Sequence, residues 1–223
     1  MVLSVTFAAR TDAAGYRMKI SFPGHTNRTE VLTNFPVLVV LTNNVGGSGF
    51  DFSRFLSTNG YDLRFRNDLD TTDLNYEIES WNTNAASYVW VQVPALTNNG
   101  TGYIWARWGD AANASQLPCT TNGATWDASF RGVWHMSQTN ALDSSTNQNA
   151  GTAGGGVTLT TGMIGSGCSF NGSSGRITVP DKANLDFTAA GLTIEAWVRV
   201  PVLPGSTEKA ILRKESQWSL EFL

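Results

Sequence analysis

The sequence is short of charge. Asp, Glu, Lys and Arg make up 15% of its 223 residues, against about a quarter in an ordinary soluble domain. No run of Lys or Arg occurs, and the net charge is −3, which argues against a nucleic-acid partner, since phosphates call for a basic stripe. No apolar stretch reaches the roughly 18 residues of a membrane-spanning helix. The opening MVLSVTFAAR has an apolar stretch but no basic residues ahead of it, so a secretion signal is not evident. Cysteine is scarce. Cys119 and Cys168 form no CxxC, and with two histidines at these spacings no zinc site follows. A Cys119–Cys168 bridge stays open; Cys168, in the alternating GCSFNG, reads equally well as a small buried residue. Helical periodicity is nearly missing, as are G-x-S-x-G, H-E-x-x-H and a glycine-rich phosphate loop. Gly46-Gly47-Ser48-Gly49 follows a strand but lacks the helix and lysine that phosphate binding requires.

Period-two alternation is what the sequence has instead, together with 22 Gly, 8 Trp and 41% hydrophobic residues. YRMKISF (16–22), the apolar run FPVLVVL (35–41), 61–66, 74–81, YVWVQV (88–93) and YIWARW (103–108) read as strands. The 35–41 run is expected to be buried on both faces, and Pro94 to end the strand before it. FDFSRFL (50–56) reads as a short helical turn. Closely spaced strands with Asn/Gly/Thr-rich turns predict a β-sandwich. Residues 113–129 lose alternation and read as a linker or wrapping segment. Further strands are expected at 166–170, 176–179, 192–200, 210–212 and 218–223, after a polar loop over 143–156. The expected fold class is all-β: a leader or edge segment over 1–14, a sandwich over 15–112, the linker, and a second β module over 130–223. Trp134, Phe170 and Trp197 are expected in the core of that module.

Charge concentrates in DLRFRNDLDTTDLNYEIESWNT (62–83). Alternation puts Leu74, Tyr76 and Ile78 on one face of a strand and Glu77, Glu79 and Trp81 on the other. Glu77 and Glu79 then lie about 6–7 Å apart at Cα, near the carboxyl spacing of glycosidases. Those enzymes, however, flank the scissile bond from two directions, and neighbours on one strand approach from one. The carboxylates therefore read as a polar strand face, and the chain as having no catalytic constellation. The turn Asp68–Asp73 offers alternating oxygens but no EF-hand glycine or distal glutamate, so solvated turn aspartates are expected. His135 reads as a structural hydrogen-bonding residue. The aromatics are more suggestive of a site. If strands 88–93 and 103–108 pair, Trp90 and Trp105 share a face with Tyr88, Tyr103, Gln92 and Arg107. Such a row can stack on sugar rings while polar neighbours read hydroxyls. Trp81 is a further candidate contact.

Six pieces in order, YRMKISF, NFPVLVVL, YDLRF, LNYEIESWN, VWVQVPAL and YIWARWGDA, resemble a bacterial family known as domain of unknown function 2341. GVWHM (132–136), LDSSTNQNAG (142–151), IGSGCSFNGSSGRITV (164–179) and LTIEAWVRV (192–200) resemble the opening half of a concanavalin A-like, laminin G-like jelly roll. That likeness implies an extracellular or cell-surface bacterial protein binding a polysaccharide or other glycan. It also implies a Ca²⁺ in a rim loop as the one cofactor to test, with Asp143, Asn147 and Asn149 supplying oxygens. A jelly roll of this kind needs about twice the length left after residue 130, so the sequence reads as a fragment. Its open strand edges would then pair with the missing C-terminal half or with another copy. The functional expectation is non-catalytic glycan or surface-polymer recognition. The alternatives are an adhesin or structural protein assembling through strand edges, and an accessory part of a polysaccharide-degrading enzyme.

Overall fold

A computed structural model describes residues 10–12, 15–25, 29–98, 100, 102–187, 191–202 and 209–222. Of the leader expected over 1–14, only residues 10–12 are described; the rest lies outside the described residues. The described regular structure consists of β-strands and short 3-10 turns, and the protein is all-β. It divides into two compact units, Met1–Thr178 and Val179–Leu223.

Two antiparallel sheets form the body of the first unit. One has the order β1 (Arg10–Asp12), β2 (Gly15–Ser21), β7 (Tyr103–Trp108), β4 (Arg64–Arg66); the other runs β3 (Leu32–Leu41), β6 (Ser87–Leu96), β5 (Tyr76–Ser80). Alternation decides what each sheet contributes to the core. Met18, Ile20, Phe65, Ile104, Ala106 and Trp108 come from the first sheet, and Val37, Val39, Leu41, Tyr76, Val89, Val91 and Val93 from the second. Burying each Val, Leu, Ile, Phe or Met among them stabilises by about 1.5–3 kcal/mol relative to exposure. Tyr76 brings its hydroxyl into this core and donates it to Leu63 O at 2.6 Å. Burial pushes its pKa far up, outweighing the nearby Arg64. The expected turn at 50–56 contains the 3-10 segment Phe52–Arg54, capped by the Asp51 carboxylate.

Several expectations change here. The 35–41 run is not buried on both faces: Val37, Val39 and Leu41 point inward, while Val40 is 39% exposed. Pro94 does not end its strand; β6 continues to Leu96, paired with β3. The N–H of Gln92 reaches Asn75 O at 2.9 Å. Two residues on, Pro94 turns its nitrogen the same way, past the start of β5, where no donor is required. Strands β6 and β7 do not pair but belong to different sheets, so Trp90 and Trp105 lie on opposite outer faces of the sandwich. Finally, the β5–β6 register shifts between Ile78 and Ser80. This bulge puts two residues of β5 opposite one of β6 and flips the alternation beyond it. Trp81 therefore leaves the Glu77 face and packs edge-on against Phe52 and Phe55, 5.2 and 5.0 Å between ring centroids. Gly60 allows this close approach, since a Cβ there would sit 2.7 Å from the Trp81 ring.

Residues 113–129 are anchored on the sandwich. Gln92 donates to Thr125 O at 3.1 Å, Asn75 donates to Ala124 O at 3.1 Å, and Thr125 and Trp126 are buried. Beyond them, β8 (Thr152–Ala153) pairs with β11 (Ile177–Thr178), and β9 (Val157–Thr161) with β10 (Ser166–Phe170). Cys119 and Cys168 are both free thiols, each with its pKa raised, chiefly by burial. In the second unit, β12 (Lys209–Lys214) and β13 (Trp218–Phe222) make a hairpin. Its Lys214 ammonium contacts Asp181 and Asp186. The strand expected at 192–200 is not formed. Trp197 is 76% exposed, and Phe170, also expected in a core, is 48% exposed. No described layer covers either ring.

Replacing Ile104, 1% exposed, by Ala should lower stability by about 2–5 kcal/mol. Val40→Ala, on the outer face, should cost well under about 1 kcal/mol. Urea unfolding of both variants measures the difference.

Candidate functional site

The sandwich has two outer faces, and they are used differently. On the three-stranded sheet, Leu38, Trp90 and Glu77 form one row across β3, β6 and β5, and Val40, Tyr88 and Ser80 the next. The segment after the sandwich lies over this face. Trp126 donates its indole N–H to Glu77 Oε2 at 2.6 Å, and Trp90 donates to Glu79 Oε2 at 2.6 Å. Ser144 donates its hydroxyl to Glu77 Oε1 at 2.5 Å. Between the carboxylates sits His135, with Nδ1 3.2 Å from Glu79 and Nε2 3.5 Å from Glu77. Its ring stacks on Trp90 at 6.2 Å and leans on Trp126 at 5.7 Å. Alternation leaves Glu79 on the same outer face as Glu77, and the bulge acts on the residues after it, placing Ser80 across from Tyr88.

Burial alone would lower the His135 pKa, but the Glu77 and Glu79 carboxylates overcome it and raise the value to about 9. The ring is an imidazolium at neutral pH. For Glu77, burial works upward and is outweighed by His135, Ser144 and Trp126, so its carboxyl is held below the usual range. The Trp90 and Trp126 indoles and the Ser144 hydroxyl each donate to a carboxylate of this cluster, while His135 Nε2 is buried with no hydrogen-bond partner among the described residues. Ser144 donates to a carboxylate and not to a histidine, so the arrangement lacks the serine-to-base order that activates a nucleophile. It is a buried ionic clamp fastening the downstream segment to the sheet. Trp90 and Gln92, expected at a ligand, serve that fastening. Tyr88 stays on the same face, half-buried.

The other outer face belongs to the four-stranded sheet. Arg17, Arg107 and Arg64 align across β2, β7 and β4, followed by Lys19, Trp105 and Arg66 and then by Ser21 opposite Tyr103. Asp70 reaches over from the β4–β5 turn. Its Oδ2 accepts from Arg107 at 2.7 Å and Arg17 at 3.1 Å, while Asp73 accepts from Arg66 Nε at 2.8 Å. Of the turn aspartates expected as solvated, Asp68 is exposed, while Asp70 and Asp73 are partners of arginines, so that cations hold the turn. Trp105 donates to Asp68 O at 3.0 Å, and the Arg17 guanidinium lies 4.7 Å from its ring centroid. Tyr103 meets Trp105 edge-to-face at 5.8 Å and carries the Lys19 ammonium 3.8 Å from its ring centroid. Among the described residues, Tyr103 and Trp105 find their ring and hydrogen-bond partners only in this sheet and its turn.

Asp143 organises a loop. Its carboxylate accepts from the backbone N–H of Val133, Ser145 and Asn149 at 2.7–2.8 Å and from the Ser145 hydroxyl at 2.9 Å. Asn147 and Asn149 donate their amides to Phe130 O and Arg131 O at 2.8 and 2.7 Å. These groups tie 130–133 to 143–149; among the described residues, no three His, Cys, Asp or Glu side chains are placed to share a metal ion. Asp62 works similarly, accepting from the N–H groups of Leu56, Ser57 and Gly109 at 2.9–3.0 Å in full burial. Sequence reasoning missed the partnerships of Asp70, Glu77 and Glu79. Their signal was the charge density of 62–83, whose partners are remote in sequence.

Residues 59–128 match the profile of a family described as a domain of unknown function (DUF2341). The match holds β4 to β7 and Trp126, with Glu77, Glu79, Trp90, Trp105 and the Asp70 turn; the resembling pieces at 16–22 and 34–41 lie outside it. No curated protein and no solved structure matches the chain.

The clamp predicts a pH dependence. The His135 pKa is higher in the folded state than its ordinary 6.5, so its contribution is complete below about 6.5 and is lost as pH rises through about 9. The Glu77 pKa is lowered by folding, so its contribution is present above the ordinary carboxyl range and is lost as pH falls through its depressed value. The unfolding free energy measured in urea should therefore fall between pH 6.5 and 9 by on the order of 2 kcal/mol. In His135→Gln that fall should disappear.

Proposed function

We propose that the sandwich is a non-catalytic module that recognises a glycan or surface polymer, within a larger bacterial surface or secreted protein. The observation that carries this reading is the Tyr103–Trp105 pair on the outer face of the four-stranded sheet, flanked by Lys19, Arg17 and Arg107. The opposite outer face is occupied by the chain's own downstream segment, which leaves this one as the aromatic face for a ligand. Aromatic rings beside fixed polar groups suit sugars, whose C–H faces pack on rings while hydroxyls take hydrogen bonds. The resemblance of residues 130–223 to a concanavalin A-like, laminin G-like jelly roll supports the same extracellular, carbohydrate-linked setting. A calcium ion at the Asp143 loop would belong to that setting and is testable by calorimetric titration.

One observation favours a second reading, assembly through open edges. Residues 191–202 carry Trp197 and Val202, 76% and 80% exposed, and form no ladder. Apolar chain with no strand partner among the described residues invites pairing with another strand. Light scattering at rising protein concentration separates the two: a monomer throughout argues against assembly.

For recognition, Tyr103→Ala and Trp105→Ala should each weaken binding in a polysaccharide pull-down by about tenfold or more, as loss of a stacking ring does. Trp90→Ala should instead lower stability. Binding indifferent to both face variants would remove the proposal.

A further inference from the structure

Charge on the four-stranded face is matched unevenly. Arg17, Arg66 and Arg107 each contact Asp70, and Arg66 also Asp73. Lys19 has no carboxylate partner among the described residues; its ammonium rests on the Tyr103 ring. Ser21 lies directly across from Tyr103 in the β2–β7 register, and Lys19 directly across from Trp105. A diagonal neighbour on paired strands is within reach of a long side chain, which brings ammonium, hydroxyl and phenol together at one end of the face. The Trp105 ring already carries Arg17 on one side. Among the described residues, Tyr103 thus carries a cation that has no acid of its own.

Resting on the recognition reading above, we infer that the Lys19–Ser21–Tyr103 end of this face takes an anionic sugar residue, so that the polymer recognised is an acidic polysaccharide. An ammonium over a ring gains modestly from the quadrupole. It gains more from an anion, through a charge-assisted hydrogen bond. A pyranose bearing an acid group offers that anion beside an apolar face for Tyr103, with Ser21 the cross-strand neighbour of that ring. A neutral glycan leaves the ammonium where it is. Lysine is a point charge without the planar fork of arginine, so the site suits one anionic group and is indifferent to whether that group is a carboxylate or a sulfate ester. The formal charge of −3 does not oppose this, because the contact is local and screened beyond about 8–10 Å at physiological salt.

The test uses the full chain and three polymers in affinity electrophoresis: polygalacturonate, dextran sulfate and unmodified dextran. The expected result is retardation by one or both acidic polymers and not by dextran, weakening with added salt. Lys19→Gln should reduce it about tenfold, and Lys19→Arg should restore most of it. Circular dichroism and urea unfolding confirm that the variants are folded. Which acidic polymer binds identifies the anionic group. Equal retardation by dextran and polygalacturonate, abolished by Tyr103→Ala but not changed by Lys19→Gln, overturns the acidic specificity and leaves glycan recognition standing. No retardation by any of the three at millimolar sugar overturns both.

Discussion

Glu77 and Glu79 hold this structure's first unit together in a way that hydrophobic packing does not. They project from the outer face of a three-stranded sheet and accept from two indoles, a hydroxyl and a histidine. Three of those donors, Trp126, His135 and Ser144, come from the chain after the sandwich. Burying two carboxylates is expensive unless their charge and lone pairs are matched. Here the imidazolium offsets one of the two charges, and the indoles and the Ser144 hydroxyl supply the hydrogen bonds. The downstream segment is thereby fixed in register on the sheet, and Gln92 and Asn75 add main-chain anchors at Ala124 and Thr125.

The same logic of partnered charge organises the opposite face, with the signs reversed. Arginines project from β2, β4 and β7, and one turn supplies the acids. Asp70 meets guanidiniums from three strands, and Asp73 holds Arg66. This packs the 67–73 turn on the sheet, and among the described residues no acid meets Lys19 at the Tyr103 end. One outer face is covered by the downstream segment; the other is partly covered by a turn. The aromatic residues divide accordingly. Trp90 and Trp126 belong to the clamp, Trp81 and Trp108 to the core, and Trp105 and Tyr103 to the open face.

The core was largely legible. Alternation in 16–22, 88–93 and 103–108 named the inward residues because a strand has only two faces and one must be apolar. The 192–200 segment has the same pattern but no ladder, since periodicity states what a strand would bury and not whether a partner sheet is present to bury it. Trp81 failed for a different reason. A single-residue bulge at Glu79 flips every later side chain, and nothing in NYEIESWN announces one.

By itself, the sequence determined the fold class, the inward faces of the sandwich strands and the family likeness of its middle. It also located the charge at 62–83, though it read that charge as a polar strand face and a solvated turn. Only the tertiary structure decided what that charge does. The partners of Asp70 lie 53 and 37 residues away, and those of Glu77 include Trp126 and Ser144, 49 and 67 residues away. Hydrogen bonds and ion pairs act over a few ångströms, and distance along the chain carries no information about them until the strands are paired. The assignment of β6 and β7 to different sheets likewise separated Trp90 from Trp105, because alternation fixes a residue's face but not which sheet that face belongs to.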